Sequence, residues 1–284
     1  MNRETATAST GPVPTPVPDL TAISVVAAAT WRELLRRKRL YSLGALLMLP
    51  VLLLLAVRIW YPGEPPAGLL LALLAGDVYI PFLLPVVAMA VGAPAISEPI
   101  SEGTLVYFWT RPLRRHSLYL GRLIAATMVA CGMVLLSQAA VFAILIFAGF
   151  GDVDMAVIRL HAEMTTVTLF GTLAYTALFG CFGAGFKKPL APAIFLAFGW
   201  EPLVANIPQR IQELTLRFHL RNLVHWPDTQ PTDVKGVLET LLNRALERAP
   251  VPAYQSIAVL LGIVVVSTVA GVYLLRRQQL DRQG

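Results

Sequence analysis

The stretch that decides the fold is LIAATMVACGMVLLSQAAVFAILIFAGFG, residues 123–151, which runs for 29 residues without a charged side chain. A helix needs about 20 apolar residues to cross the hydrocarbon core of a bilayer, so this stretch predicts a membrane span. Further apolar stretches lie on both sides of it, and together the predicted spans are 40–59, 68–96, 123–151, 164–186, 189–209 and 251–275. The sequence therefore predicts an all-α membrane protein with six transmembrane helices.

The composition of the whole chain agrees with a lipid environment. Of its 284 residues, 56% are hydrophobic and only 14% are charged, and the mean hydropathy is +0.65. Soluble domains carry about a quarter charged residues, so an ordinary soluble enzyme and a disordered chain are both excluded. Cys131 and Cys181 lie inside apolar stretches, where we expect small buried side chains and neither a disulfide nor a metal site.

Two of the predicted spans contain polar or helix-breaking residues. The second holds three prolines and Asp77, which predicts a kinked helix with Asp77 towards one end. The fifth holds Glu201 and two prolines, which predicts a broken helix, because irregular backbone in lipid must be satisfied by protein or water. Asp77 and Glu201 are thus possible intramembrane functional groups. The alternative is that both lie near the outer ends and face water or a loop.

The segments before the first span differ sharply in character. Residues 1–19 are rich in Ser, Thr, Ala and Pro, which predicts a disordered tail. Residues 20–40 predict an amphipathic helix on the membrane face, with Trp31 at headgroup depth and Arg36, Arg37 and Lys38 on anionic lipid. Its predicted apolar stripe is Ile23, Ala27, Trp31, Leu34 and Leu35. The alternative is an ordinary basic flank of the first span.

The distribution of Lys and Arg predicts the orientation. With the amino terminus inside, the inner segments hold 15 of these residues and the outer segments hold 8. The positive-inside rule then places both termini in the cytoplasm, including the tail 276–284. The outer segment 206–252 is too long for a plain connector. It shows two helical patterns, one through Ile207, Ile211, Leu214 and Phe218 and one after Pro231, so it caps the bundle or lies along the outer interface.

Signatures of several enzyme classes are missing from the sequence. There is no P-loop string, no His-Glu-x-x-His and no Gly-x-Ser-x-Gly, so the chain is predicted to be non-catalytic. We expect the histidines to be surface residues rather than haem or metal ligands; they are His116, His161, His219 and His225.

The most informative segment joins the second and third spans and reads APAISEPISEGTLVYFWTRPLRRHSLYLGRLIA, residues 93–125. A short helix from about Ser101 to Trp109 would display Leu105, Phe108 and Trp109 beside acidic side chains. Exposed apolar residues rimmed by charge suit insertion into a groove on another protein. The alternative is an aromatic belt at the lipid interface.

This segment resembles the permeases of the type-2 ATP-binding-cassette (ABC) exporter family. The matching residues are Ser97, Glu98, Glu102, Gly103, Thr104, Leu105, Pro112, Arg115, Gly121 and Arg122. The basic amino-terminal helix, the six spans and the broken fifth span also resemble the family. Two departures are Pro99, which interrupts the usual run of acids, and a longer outer segment before the last span.

The resemblance implies an exporter subunit of the bacterial cytoplasmic membrane that pairs with a second permease as a homo- or heterodimer. Separate ATPase subunits would bind ATP and Mg, and this chain would bind no cofactor and no nucleic acid. They would dock on the coupling loop, residues 97–122, through Glu98, Glu102, Gly103, Thr104, Leu105, Phe108, Arg111 and Pro112. Small residues that could form the dimer face are Gly180, Gly183, Ala184 and Gly185.

A second interpretation belongs to another class of protein. The chain could be a membrane anchor or assembly subunit whose segment 206–252 binds an extracytoplasmic partner. An intramembrane enzyme has no support, because the sequence offers no nucleophile–base pair and no metal-ligand cluster.

Overall fold

The structure is a computed structural model that describes residues 19–61, 63, 65–101, 115–151, 153–205, 210–226 and 251–280. These residues form α-helices with short π and 3₁₀ segments, and they contain no strand. The all-α prediction is therefore confirmed.

The helices are numbered here in chain order within the described residues. They are α1 (Asp19–Leu35), α2 (Arg39–Trp60, with a turn at Met48), α3 (Ala67–Ser101), α4 (Arg115–Phe147), α5 (Met155–Gly185), α6 (Leu190–Val204), α7 (Leu216–Asn222) and α8 (Ala253–Leu280). Within the described ranges, five of them are long and apolar enough to cross a membrane, namely α2, α3, α4, α5 and α8.

Two of these helices extend well beyond the apolar stretches that predicted them. Helix α5 begins nine residues before the predicted start because the Asp154 side chain caps it, accepting from the Val157 amide at 2.9 Å. Helix α4 begins at Arg115 and ends at Phe147, short of residue 151. Gly149 and Gly151 follow with φ of 70° and 54°, a left-handed backbone that ends a helix and favours glycine.

The fifth predicted span, 189–209, contains a helix that is shorter than the five long ones. Only α6, a 15-residue apolar helix, is described there, and at 1.5 Å per residue it is about 22 Å long. That is short of the roughly 30 Å hydrocarbon core. Its middle, Phe195–Trp200, is a π-helix, as is Leu74–Leu83 within α3. Residues 206–209 lie outside the described part of the chain.

Neighbouring helices alternate in direction. Helices α3 and α5 run the same way, since Gly68 faces Val157 near their starts and Gly92 faces Thr176 farther along. Helix α4 runs opposite to α5, as three contacts show: Leu123 with Gly180, Gln138 with Thr168, and Phe142 with His161. Helix α2 runs with α4, through Leu47 with Ser137 and Arg58 with Ala148. The bundle thus has a loop end, where Ser101 and Arg115 lie, and a far end, where α3 and α5 begin.

The last helix, α8, also runs in the direction of α5. The Cβ that an alanine would add at Gly185 would lie 3.1 Å from Leu274, so the carboxyl ends of both helices meet at the loop end. Since α5 ends at one end of the bundle and α8 begins at the other, the chain between them passes once more along the bundle.

The small residues expected at a dimer face are used inside the chain. Gly180, Gly183 and Ala184 are buried, and an alanine Cβ at Gly183 would lie 2.5 Å from the Ala93 carbonyl oxygen. Gly183 lets α5 pack closely on α3, and Gly180 faces Leu123 of α4, so the prediction of a dimer face is wrong for these buried residues. Gly185, the fourth predicted residue, is half-buried.

Candidate functional site

The two helices that carry the coupling loop are described, whereas the loop between them is not. Helix α3 ends at Ser101 and α4 begins at Arg115. The residues between them lie outside the described part of the chain, including Glu102, Gly103, Thr104, Leu105, Phe108, Arg111 and Pro112. Of the predicted coupling residues, the structure therefore places Glu98, on the last turn of α3.

Glu98 is held by two arginines that precede the first span. Arg39 donates to both of its carboxylate oxygens, at 2.5 and 3.2 Å, in the bidentate geometry that suits a guanidinium. Arg37 lies 3.4 Å from the same carboxylate and also pairs with Glu33 at 2.6 Å. The end of α3 is thereby fixed to the segment that links α1 and α2.

The start of α4 is held by the opposite end of α1. Asp19, the first residue of α1, accepts a hydrogen bond from the Ser117 hydroxyl at 3.3 Å and lies 3.4 Å from His116 Nε2. Ser117 is fully buried. Since α1 has 17 residues and is about 25 Å long, its two ends reach the two helices on either side of the coupling loop.

Helix α1 also packs along α4 at a close crossing. A Cβ at Gly121 would lie 2.8 Å from the Ile23 carbonyl oxygen and 2.8 Å from Val26, so only glycine fits there. Gly121 was singled out from the sequence by the family resemblance, and the structure gives it this packing reason. We name this assembly the clasp. It consists of α1, of Arg37 and Arg39, which hold Glu98 at the end of α3, and of Asp19, which holds Ser117 at the start of α4.

One face of α1 is buried and the others are half-buried or exposed. The side that packs on α4 consists of Ala22, Val26, Thr30 and Leu34. The buried face of α1 therefore differs from the predicted apolar stripe. Of the predicted residues, Leu34 is buried, Trp31 is half-buried and Leu35 is exposed. Arg36 and Lys38 are exposed, while Arg37 belongs to the clasp. A groove of about 550 Å³ runs beside the polar side, lined by Ala29, Arg32, Glu33, Arg36 and Arg37.

The two acids singled out in the spans both have basic neighbours on or beside α7. Asp77, in the π segment of α3, forms an ion pair with Arg221 at 3.1 Å, and its side chain is 46% exposed. Glu201, at 1% exposure, accepts a hydrogen bond from the Tyr175 hydroxyl at 2.5 Å and interacts electrostatically with Arg217. Both acids therefore serve as counter-charges for a helix at the far end.

Helix α7 is anchored to the start of α8. Burial lowers the pKa of His219, so its neutral ring donates from Nε2 to the Glu213 carbonyl at 2.8 Å and accepts from Ser256 at 3.2 Å. Asn222 exchanges hydrogen bonds with the backbone of Val251. The described part of the outer segment is thus packed into the bundle rather than projecting from it.

Two expectations about this region are wrong. The expected stripe ran through Ile207, Ile211, Leu214 and Phe218, and Ile207 lies outside the described residues. The other three are not on one helix face, because a 3₁₀ turn covers Arg210–Leu214 and Thr215 then caps α7. Ile211 and Leu214 are exposed and Phe218 is buried. Nor are all histidines on the surface, since His219 is 2% exposed and the ring of His161 stacks on Phe142.

The described ranges contain no cluster of side chains that could bind a metal ion, and their two cysteines form no disulfide. No three His, Cys, Asp or Glu side chains there come together as metal ligands. Cys131 and Cys181 are half-buried free thiols.

Sequence reasoning missed several residues that hold the site together. They are Asp19, Arg39, Arg217 and Arg221. Three of them pair with a group far along the chain: the separation is 98 residues for Asp19, 59 for Arg39 and 144 for Arg221 with Asp77. The only signal available was an acid beside or inside an apolar stretch, which needs a cation but does not say which one.

The apolar helices and their alternating packing define a multi-pass membrane protein. A family model described as ABC-2 family transporter protein matches residues 33–200, more than half of the chain. The chain belongs to this family, whose members are the membrane permeases of ABC transporters that work with ABC ATPase subunits. A search of curated proteins finds no match.

Proposed function

We propose that the chain is the permease subunit of an ABC exporter, driven by separate ATPase subunits that dock on its coupling loop. The ATPase subunits bind ATP and Mg, and the chain contributes the path across the membrane. A second permease, identical or not, completes the transporter.

The clasp is the observation that carries this proposal. The two helix ends that flank the coupling loop are tied to each other through α1 and the segment that follows it. Arg39, with Arg37, holds Glu98 on one side, and Asp19 holds Ser117 on the other. A force applied to the loop is therefore passed to α1, α3 and α4 together. A loop that only connected two spans would need no such support.

The orientation follows from charge. Among the described residues, the exposed basic side chains at the far end are Arg58 and Arg159. Those at the loop end are more numerous, namely Arg32, Arg36, Lys38, Lys187, Lys188, Arg276 and Arg277. The positive-inside rule then places the loop end in the cytoplasm. Since the chain passes once more along the bundle between α5 and α8, we propose six crossings, both termini in the cytoplasm, and a bacterial cytoplasmic membrane.

The free side of α1 supports a location at the membrane surface. Trp31 and Leu35 offer an apolar flank, and Arg36 and Lys38 offer charge for anionic headgroups. The helix ends four residues before the first span begins, which keeps it at the interface.

The decisive experiment is co-purification with the ATPase subunit and measurement of its ATP hydrolysis. In the coupling loop, Glu102→Arg combined with Leu105→Asp should abolish co-purification and the stimulation of hydrolysis. The reason is that a reversed charge and a buried carboxylate oppose docking in a groove. The chain alone should hydrolyse no ATP.

The matched control makes the same kinds of change at the far end. Arg159→Glu combined with Met155→Asp alters two exposed residues there and should leave the ATPase bound and stimulated. If the loop variant bound and stimulated the ATPase as the unmodified chain does, the docking site would lie elsewhere.

The alternative, an anchor subunit with segment 206–252 as its working part, receives less support. Residues 215–226 of this segment are tied to α3, α5 and α8 through Arg221, His225 and Asn222. Loss of an outer partner on deletion of residues 227–250, with no effect of nucleotide, would favour it.

A further inference from the structure

The second span, α3, contains prolines in positions where they remove helical hydrogen bonds. In an α-helix the carbonyl of residue i accepts from the amide of residue i+4, and proline has no amide hydrogen. Pro99 therefore leaves the carbonyl of Ala95 without its helical donor. This carbonyl lies in the last turns of α3, close to the coupling loop.

A side chain from the other side of the loop takes that place. Arg122, in the second turn of α4, donates from Nη1 to the Ala95 carbonyl oxygen at 3.1 Å. Arg122 is only 8% exposed, so its charge has been brought out of water to make this contact. A buried guanidinium is costly unless it is well paired, which argues for a specific role.

The same solution occurs at the other end of α3. In the π segment the carbonyl of Gly76 would accept from residue 81, which is Pro81 and has no amide hydrogen. Arg221 of α7 donates to this Gly76 carbonyl and also pairs with Asp77. Each of these two prolines thus frees a carbonyl that an arginine from another helix occupies.

We propose that Arg122 is a positioning residue for coupling: by donating to the carbonyl that Pro99 frees, it fixes the end of α3 against α4 and so sets the position of the coupling loop. This inference rests on the proposed function, because a role in coupling requires that an ATPase subunit docks on the loop. Arg221 does the corresponding work at the far end. The interruption at Pro99 gives α3 a joint, and Arg122 holds the joint in one position.

The test uses the fact that Pro99→Ala restores the missing amide. In the Pro99→Ala background the Ala95 carbonyl has a helical donor again, so Arg122 should become dispensable. Four full-length chains are compared in lipid nanodiscs with the ATPase subunit: unmodified, Arg122→Gln, Pro99→Ala, and the double variant. Arg276→Gln, at an exposed arginine in α8, is the control for loss of charge.

Arg122→Gln should lower the maximal stimulated ATPase rate about tenfold, the usual scale for loss of a charged hydrogen bond, while the affinity for the ATPase subunit stays unchanged. The double variant should return to within about twofold of Pro99→Ala. Arg122→Gln without an effect, or an effect that Pro99→Ala does not relieve, would overturn the proposal. A purely structural defect would instead change binding and yield together.

A second readout needs no ATPase. Spin labels at exposed Ser101 and Lys188, with Cys131 and Cys181 replaced by alanine, report the distance between the ends of α3 and α5. The distribution of distances between the two labels should broaden in Arg122→Gln and narrow again in the double variant. If it does not narrow in the double variant, the proposal is contradicted. If Arg122→Gln does not accumulate, recovered yield in the double variant supports the proposal and continued loss contradicts it. If no ATPase binds the unmodified chain, the proposed function fails while these distances still decide the role of Arg122.

Discussion

At the scale of single residues, several buried polar side chains in this bundle pair across helices. Tyr79 shares a 2.7 Å hydrogen bond with Ser137, which in turn donates to the Leu47 carbonyl, and Gln138 donates to Thr168. Such pairs fix the register of the helices, because a buried donor or acceptor without a partner is costly away from water.

Glu201 gives the sharpest test of this idea. Tyr175→Phe removes the hydroxyl that donates to the buried carboxylate and should destabilise the chain by about 1–3 kcal/mol, since the carboxylate loses a bond that water cannot replace. Thermal melting of the purified protein measures the loss. Tyr254→Phe removes the same hydroxyl at a 75% exposed position and should leave melting unchanged. Equal melting of both variants would show that the bond to Glu201 contributes nothing.

At the scale of elements, α1 is an integral part of the bundle as well as an amphipathic helix. Its row Ala22, Val26, Thr30 and Leu34 is buried. Its first residue, Asp19, holds α4, and Glu33 near its other end pairs with Arg37, which in turn contacts Glu98 of α3. The close crossing at Gly121 is what brings its backbone near enough for both ends to reach.

This crossing can be tested with one methyl group. Gly121→Ala would place a Cβ 2.8 Å from the Ile23 carbonyl and should displace α1 at a cost of about 1–3 kcal/mol, because backbone cannot give way as a side chain can. Gly132→Ala in the same helix meets nothing within 4 Å and should be neutral or stabilising by up to about 1 kcal/mol. Thermal melting and the rate of tryptic cleavage after Arg36 report the two effects. A Gly121→Ala chain as stable as Gly132→Ala would contradict the crossing.

At the scale of the whole molecule, the alternating directions of the helices fix which residues share an end. Lys188 and Arg276 lie at the loop end, and Arg159 and Tyr254 at the far end. This grouping holds whichever way the protein is inserted.

Labelling of single cysteines tests the proposed insertion. With Cys131 and Cys181 replaced, cysteines at positions 188 and 276 should react with a membrane-impermeant maleimide only in inside-out vesicles, and cysteines at 159 and 254 only in intact cells. All four positions are exposed, so access decides the outcome. Positions 188 and 254 reacting from the same side would rule out a crossing between α5 and α8.

The sequence predicted the apolar helices within a few residues wherever lipid alone sets the requirement. The apolar pattern did not predict the polar helical turns 115–122 and 155–163. A helix can continue past the bilayer when capping side chains or neighbouring residues pair with its free backbone groups, as Asp154 does for α5. The sequence identified Asp77 and Glu201 as costly acids in apolar stretches, but it could not assign Arg221 and Arg217 as their neighbours. The cations come from a segment whose helical pattern is split in the structure between a 3₁₀ turn and α7. The pairing of Glu98 with Arg39 likewise needs three dimensions.

The lengths of α3 and α4 have one last consequence. With 35 and 33 residues, they measure about 50 Å, whereas the hydrocarbon core is about 30 Å thick. Each helix therefore exceeds the hydrocarbon thickness by about 20 Å, so their ends extend beyond the hydrocarbon core. An ATPase subunit that binds at the loop end would then contact the protein outside the hydrocarbon core. Its binding affinity should therefore not depend on the lipid composition of the membrane.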